Sequence, residues 1–168
     1  MADELTIVMD RERIDLKLLL TADPSMPNAV RALNTSTAFA GVVRGKTVAA
    51  CLVEYANTIY NISYLVVDVS NQGKKFERQL LEHAISYIKG QYGQYIEGGC
   101  GNADIQMIAL YQELGFRLLG VWPDYYLSDN RTASIENRIY NRDMVRFRLD
   151  LFEKTMLTTG GAVSGAGR

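Results

Sequence analysis

The feature that most restricts the fold of this chain is a strand-to-helix junction near its middle. The apolar run Leu65-Val66-Val67 leads into the polar turn Asp68-Val69-Ser70-Asn71-Gln72-Gly73. Beyond it Phe76, Leu80, Leu81, Ala84, Ile85 and Ile88 recur at three- and four-residue intervals. That spacing predicts an amphipathic helix over 74–89, ended by Gly90, with one apolar stripe that must pack on something. The triplet before the turn is apolar on both alternating faces, as a central strand covered on both sides requires. A sheet with a helix laid against it is the minimum structure that satisfies both patterns.

Other elements arrange themselves around this junction. Leu5, Ile7 and Met9 alternate in a first strand, Leu16, Leu18, Leu19 and Leu20 suggest a short helix, and Pro24 and Pro27 interrupt the pattern. Strands are expected over 37–43 and 48–55, joined by a hairpin turn at Arg44-Gly45-Lys46, with a third strand over 59–69. After the long helix, Tyr95 and Ile96 mark a short strand, and Asn102 is placed to cap a second helix that runs to Leu114 and stops at Gly115. Residues 116–121 read as a strand and 122–142 as a long loop. Val145, Phe147 and Leu149 alternate with Arg146 and Arg148, the pattern of a final half-exposed strand. The order predicts an α+β (mixed α/β) chain around one sheet, with antiparallel hairpins first and βα crossovers in the middle.

Composition narrows the function. A chain of 168 residues suits one compact domain, placed over 1–157, with 158–168 as a flexible tail rich in Gly, Ala, Ser and Thr. Eighteen Lys plus Arg against nineteen Asp plus Glu leave no global positive field for nucleic acid or anionic lipid. No apolar run is long enough to span a bilayer, and the acidic start Met1-Ala2-Asp3-Glu4 does not resemble a secretory signal, so a cytoplasmic location is expected. Cys51, Cys100 and His83 are the only cysteines and histidine. A four-ligand Cys/His zinc site cannot be assembled from them, so no metal is expected, and a catalytic triad would have to use a histidine in mid-helix. Cys51 reads as a small buried hydrophobe, and Cys100, between glycines, as the more exposed thiol.

The junction also carries chemistry. A turn entering a helix presents free backbone N–H groups and the positive end of the helix dipole, which suits a phosphate, and Lys74 and Lys75 add positive charge. By itself this signal is common, since most such turns bind nothing. The segment Leu110-Tyr111-Gln112-Glu113-Leu114-Gly115-Phe116, ending a helix and feeding a strand, narrows the choice. It closely resembles the hallmark of the GNAT superfamily of N-acetyltransferases. That family also has an apolar strand ending in Val, a Gln/Arg-x-x-Gly-x-Gly/Ala turn and an amphipathic helix, and Val67, Gln72 and the helix from Lys74 fall in the same order. The resemblance covers roughly residues 48–121.

The resemblance implies a GNAT-like fold, a central, mostly antiparallel twisted sheet of about six to seven strands with helices on both faces. It implies acetyl-CoA as acyl donor and no metal. The pantetheine arm would lie between splayed strands against Leu65, Val66, Val67 and Val69, and near Asp104. The pyrophosphate would sit on the amides of Gln72, Gly73, Lys74, Lys75, Phe76 and Glu77. Tyr111 matches the tyrosine that protonates the leaving thiolate in many members; the alternative is a ring packed between helix and sheet. Four positions depart from the family. Lys75 and Glu77 occupy the two glycine positions of the turn, Asp104 stands where the family often has Asn, and Asn61 falls near the place of a glutamate that serves histone-type members as base. An amide cannot take a proton, so Glu54 and Tyr64 on neighbouring strands are the candidates, with Glu54 either reaching solvent at its strand end or raised in pKa within the cleft. Asp68 is better placed to hydrogen-bond the turn.

The expected function is therefore transfer of an acetyl group from acetyl-CoA to a primary amine by direct attack. Trp122, Asp124, Tyr125, Tyr126, Asp129 and Glu136 combine aromatic faces with carboxylates and suit either a cationic amine or a subunit contact, and a homodimer is compatible with them. Polyamine, aminoglycoside, amino acid, peptide N-terminus and protein lysine all remain open as acceptor. The alternative is a non-catalytic binding or sensor module of the same fold with a degenerate cofactor turn. A different nucleotide-binding α/β domain would need a Gly-x-Gly-x-x-Gly or Walker motif, and neither is present.

Overall fold

A computed structural model describes residues 3–127 and 134–152. The tail over 158–168 and Asp129 lie outside the described residues. The elements are β1 (Thr6–Met9), α1 (Leu16–Leu20), α2 (Met26–Thr35), β2 (Thr37–Val43), β3 (Lys46–Ala56), β4 (Ile59–Val67), α3 (Phe76–Gly90), β5 (Tyr95–Gly101), α4 (Ile105–Glu113), β6 (Arg117–Trp122), β7 (Ser134–Glu136), β8 (Ile139–Asn141) and β9 (Met144–Asp150). Seven strands form one sheet in the order β1-β2-β3-β4-β5-β9-β6, and β7 and β8 make a separate hairpin.

Local chemistry explains the connections. Arg44 and Gly45 between β2 and β3, Asn57 and Thr58 between β3 and β4, and Asn137 and Arg138 between β7 and β8 are pairs with positive φ. Two consecutive left-handed residues give the turn whose twist matches that of antiparallel strands. The link from β4 to β5 is parallel and requires a crossover, which α3 supplies. That pair is short. Ile59 faces Tyr95, Tyr60 faces Ile96 and Asn61 faces Glu97, after which the two strands part. A bulge at Ser63, between the Leu52–Tyr64 and Val53–Ile62 pairs, bends β4 just beyond that point.

Both faces of the sheet are covered. The predicted stripe of α3 is buried in full, with Phe76, Leu80, Leu81, Ala84, Ile85 and Ile88 packed on Phe39, Cys51, Val53, Ile62, Val67 and Ile96. On the other face Leu19 of α1 and Ala29 and Ala32 of α2 meet Ala38, Ala40, Ala50, Leu52 and Val66. Alanines on this face let the helices approach closely.

The structure corrects several local expectations. Pro27 does not interrupt a helix but sits in the first turn of α2, where its missing N–H would have no intrahelical acceptor. Asp104, not Asn102, caps α4, accepting from the Met107 N–H at 3.0 Å. Asn102 instead accepts from the Arg142 and Asp143 amides and donates to the Tyr140 carbonyl, tying the β7–β8 hairpin to the sheet. That hairpin occupies part of the segment expected to be a structureless loop. Cys100 is buried, not exposed. Finally, β9 lies between β5 and β6, so Arg146 is buried where an outward-facing arginine was expected. No helix among the described residues is long and apolar enough to cross a membrane.

Candidate active site

Where β4 and β5 part, two cavities open that share Asp104 and Met107 in their walls. The smaller, of about 560 Å³, runs along the turn into α3. The larger, of about 810 Å³, lies between the splayed strands and extends to the segment after β6.

The turn is built by side chains that hold the backbone. Asp68 accepts from the Ser70 amide at 2.7 Å, from the Ser70 hydroxyl and from the Asn71 amide group, and these bonds hold its carboxyl below the usual range. The Gln72 side chain donates to the Val67 carbonyl at 3.4 Å. Gly73 (φ 80) and Lys75 (φ 64, ψ 25) are both left-handed, and Lys75 is the residue from which α3 starts. The conformation is therefore the one for which the family's turn carries glycine, kept here by a lysine at a cost of about 1–2 kcal/mol. Among the described residues no side chain caps α3, and its first bond runs from the Gln79 amide to the Lys75 carbonyl. The amides of Phe76, Glu77 and Arg78 precede that bond and have no carbonyl one turn back. Gln72, Gly73, Lys75, Glu77 and Arg78 line the smaller cavity at this end, with Gln106 and Leu110 of α4 opposite.

Side chains predicted to meet the cofactor divide sharply. Lys74 turns away, its Nζ bonded to Asp3 at 2.8 Å and Asn71 at 2.9 Å. Phe76 points into the core, so only its amide is available. Val69 is not on the strand, because β4 ends at Val67; it is exposed on the short turn that follows. Val66 and Val67 face opposite cores and can offer only backbone. Leu65 forms part of the larger cavity's wall. Asp104 sits in both cavities, its pKa raised by loss of solvent against the lowering effect of the Met107 amide, and that of Glu136 is raised by burial and by the Asp104 carboxylate.

Tyr111 is fully buried yet borders the larger cavity. Its ring stacks on Phe147 at 4.9 Å and meets Phe116 edge-on at 5.1 Å. Gly98 makes this seat: a Cβ there would stand 2.8 Å from the Tyr111 hydroxyl. Burial, helped by nearby Cys100 and Cys51, pushes the phenol above its ordinary pKa, so Tyr111 keeps its proton at neutral pH. The Cys100 thiol, also on the wall, is pushed up to about 12 by burial and by Asp104, and is a poor nucleophile.

Glu54 borders the larger cavity, with Oε1 at 2.8 Å from Arg31 and 3.2 Å from the Thr35 hydroxyl. Tyr64 forms part of the same wall. Asn61 and Glu97 face each other across the last β4–β5 pair, and Nη2 of Arg146 donates to both, at 3.1 and 3.3 Å. Arg148 binds the other Glu97 oxygen through both Nε and Nη2. Trp122, Tyr125 and Tyr126 border the cavity, whereas Asp124 is engaged by Arg142 at the surface. Arg31, Arg78, Glu97 and Arg146 were not singled out by the sequence pattern. For Glu97 and Arg146 the one signal is opposite charge on β5 and β9, whereas Arg31 and Arg78 lie on α2 and α3 and carry no such signal. No cluster of three or more potential metal ligands exists among the described residues.

No protein-family model matches the chain. It is 37% identical over 138 residues to the uncharacterized N-acetyltransferase YvbK of Bacillus subtilis (strain 168), covering 80% of this chain and 87% of that protein. Among solved structures, an IAA acetyltransferase from Bacillus cereus superposes with a TM-score of 0.82 at 29% identity, over 88% of this chain and 100% of that one. An acetyltransferase of Bacillus subtilis in complex with CoA gives 0.80 at 31% identity, over 88% and 99%. With the parted strands, the uncapped turn and the Tyr111 segment in one place, this likeness assigns the chain to the GNAT superfamily of N-acetyltransferases.

Proposed function

We propose that this chain transfers an acetyl group from acetyl-CoA to a primary amine, with the donor in the smaller cavity and between the parted strands, and the amine in the larger one. The observation that carries the reading is the uncapped turn at Lys75, which keeps a left-handed backbone and free helix-start amides despite lacking the family's glycine. Such a cradle fits a pyrophosphate. Lys75 and Arg78 border it, and the relative solved with CoA lends the donor its chemical identity. When bound, the thioester supplies an activated acyl group with a thiolate leaving group.

The chain's own residues do the rest. Leu65 and the backbone of Val66 and Val67 hold the arm along β4, and an amide near Val67 receives the negative charge that develops on the carbonyl oxygen. Tyr111, protonated and held rigid by Phe147 and Gly98, gives its proton to the departing sulfur. The amine has to reach the site uncharged. Both oxygens of Glu97 are already engaged by arginines. Glu54 on the cavity wall, whose partner Arg31 is itself exposed, is the carboxylate we assign to take the proton. The amine then attacks directly, with no acyl-enzyme, in keeping with the protonated state of Cys100.

Thiol release from acetyl-CoA over a panel of primary amines tests the reading. Saturable release that depends on the amine is expected. Binding of acetyl-CoA without release for any amine would instead support a sensor module.

A further inference from the structure

We propose that the amine accepted in the larger cavity also carries a carboxylate, as an amino acid does, and that Arg146 receives it. This rests on the acetyl-transfer reading for the placement of the amine, but the arginine stands on its own geometry. Arg146 is a wall residue of the cavity with only 7% of its surface exposed. Its guanidinium lies over the Trp122 ring, 4.4 Å from the centroid. Among the described residues its Nε–H has no acceptor, and Nη1 meets only the Met144 sulfur at 3.8 Å.

The charges around it do not balance locally. Among the described residues Glu97 is the one carboxylate that touches Arg146, by a single contact at 3.3 Å, while its other oxygen takes both donors of Arg148. Three ionic groups thus carry a surplus positive charge beside an open cavity. A buried cation with unmet donors is stabilised when an anion completes it. Arg146 is also close enough to act electrostatically on Tyr111, which places the surplus near the reacting end of the cavity. Asp23, Glu54 and Asp104 border the same cavity, and Asp104 lies at its junction with the donor groove. A ligand with an amine at one end and a carboxylate at the other matches this arrangement, whereas a polyamine would bring cations to Arg146.

Trp122 is the only tryptophan in the chain, so its fluorescence reports on the arginine stacked against it. The experiment titrates the protein, saturated with CoA, with L-amino acids and with their matched α-carboxamides. The expected result is that at least one amino acid changes the emission saturably at a concentration about tenfold or more below its amide. Arg146→Gln should abolish the difference and Arg146→Lys retain part of it, in variants whose melting is cooperative. The paired titration of the parent protein needs no variant and stands if Arg146→Gln does not fold. Equal response to acid and amide, response to amides alone, no response to any amino acid, or a folded Arg146→Gln that keeps the preference would overturn the proposal. Because the readout needs no acetyl transfer, a preference without thiol release would contradict the catalytic reading alone, and transfer confined to amines lacking a carboxylate would contradict this one alone.

Discussion

The turn into α3 offers a ligand its backbone, whereas the larger cavity offers side chains brought together from α2, β3, β4, β5, α4 and β9. This difference explains how each region tolerates change. At the turn, a lysine stands where the family's motif has glycine, and the backbone still follows the left-handed path. In the cavity specific charges and rings are held in place by their neighbours. Tyr111 is fixed by Phe147 and Gly98, and Arg146 by Trp122, Asn61 and Glu97. The first region should therefore govern donor binding with little dependence on residue identity, and the second should govern turnover and acceptor choice with strong dependence.

Substitution of Tyr111 tests that division most severely. Tyr111→Phe keeps the ring packing and removes only the donor, so turnover should fall roughly a hundredfold or more while acetyl-CoA affinity stays constant. Steady-state kinetics with calorimetric binding would show this, and unchanged turnover would reduce Tyr111 to a packing residue.

Asp104, which belongs to both regions, should give an intermediate effect. Its folded-state pKa is raised above 3.8, so stability falls as pH rises from the ordinary value through the raised one, and above that window the half-buried anion remains unfavourable. Asp104→Asn keeps a capping side chain and removes the charge. The variant should be more stable than the parent at neutral pH, with a flatter profile just above 3.8, and should bind acetyl-CoA a few-fold more tightly. Thermal melts across pH would detect the first effect. Parallel profiles for parent and variant would show that burial of Asp104 has no energetic consequence.

Lys75→Gly should have the smallest effect on function. Relief of the left-handed conformation is worth about 1 kcal/mol, which corresponds to a rise in Tm of about 2–4 °C for a chain of this size. Donor affinity should change by less than about twofold if backbone amides carry the binding. A roughly tenfold loss would mean that the Lys75 side chain holds the phosphates, and the contrast between the two regions would fail.

How much was legible follows the same line. The stripe of α3, the hairpins and the Tyr111 segment are local patterns, and local patterns survive folding because the period fixes which side chains share a face. Gly115, read as the end of α4, has φ 92 as such a stop requires. Lys74 and Lys75 were indistinguishable as neighbours in a polar turn, since only the left-handed twist at Lys75 sends one to Asp3 and the other to the groove. Val69 read as strand because its residue type is apolar, yet Asp68 closes a turn there. The Arg146 cluster was out of reach for a different reason. It depends on β9 entering between β5 and β6, a pairing of segments far apart in the chain, so the alternation around Phe147 located the strand but not its neighbours.

Calorimetric titration of the full chain with acetyl-CoA, with ATP as control, tests the account most directly. Saturable one-to-one binding of acetyl-CoA with no comparable response to ATP is predicted, because the amide cradle at Lys75 persists without its glycine. Absence of binding at high ligand concentration, or equal binding of ATP, would contradict it.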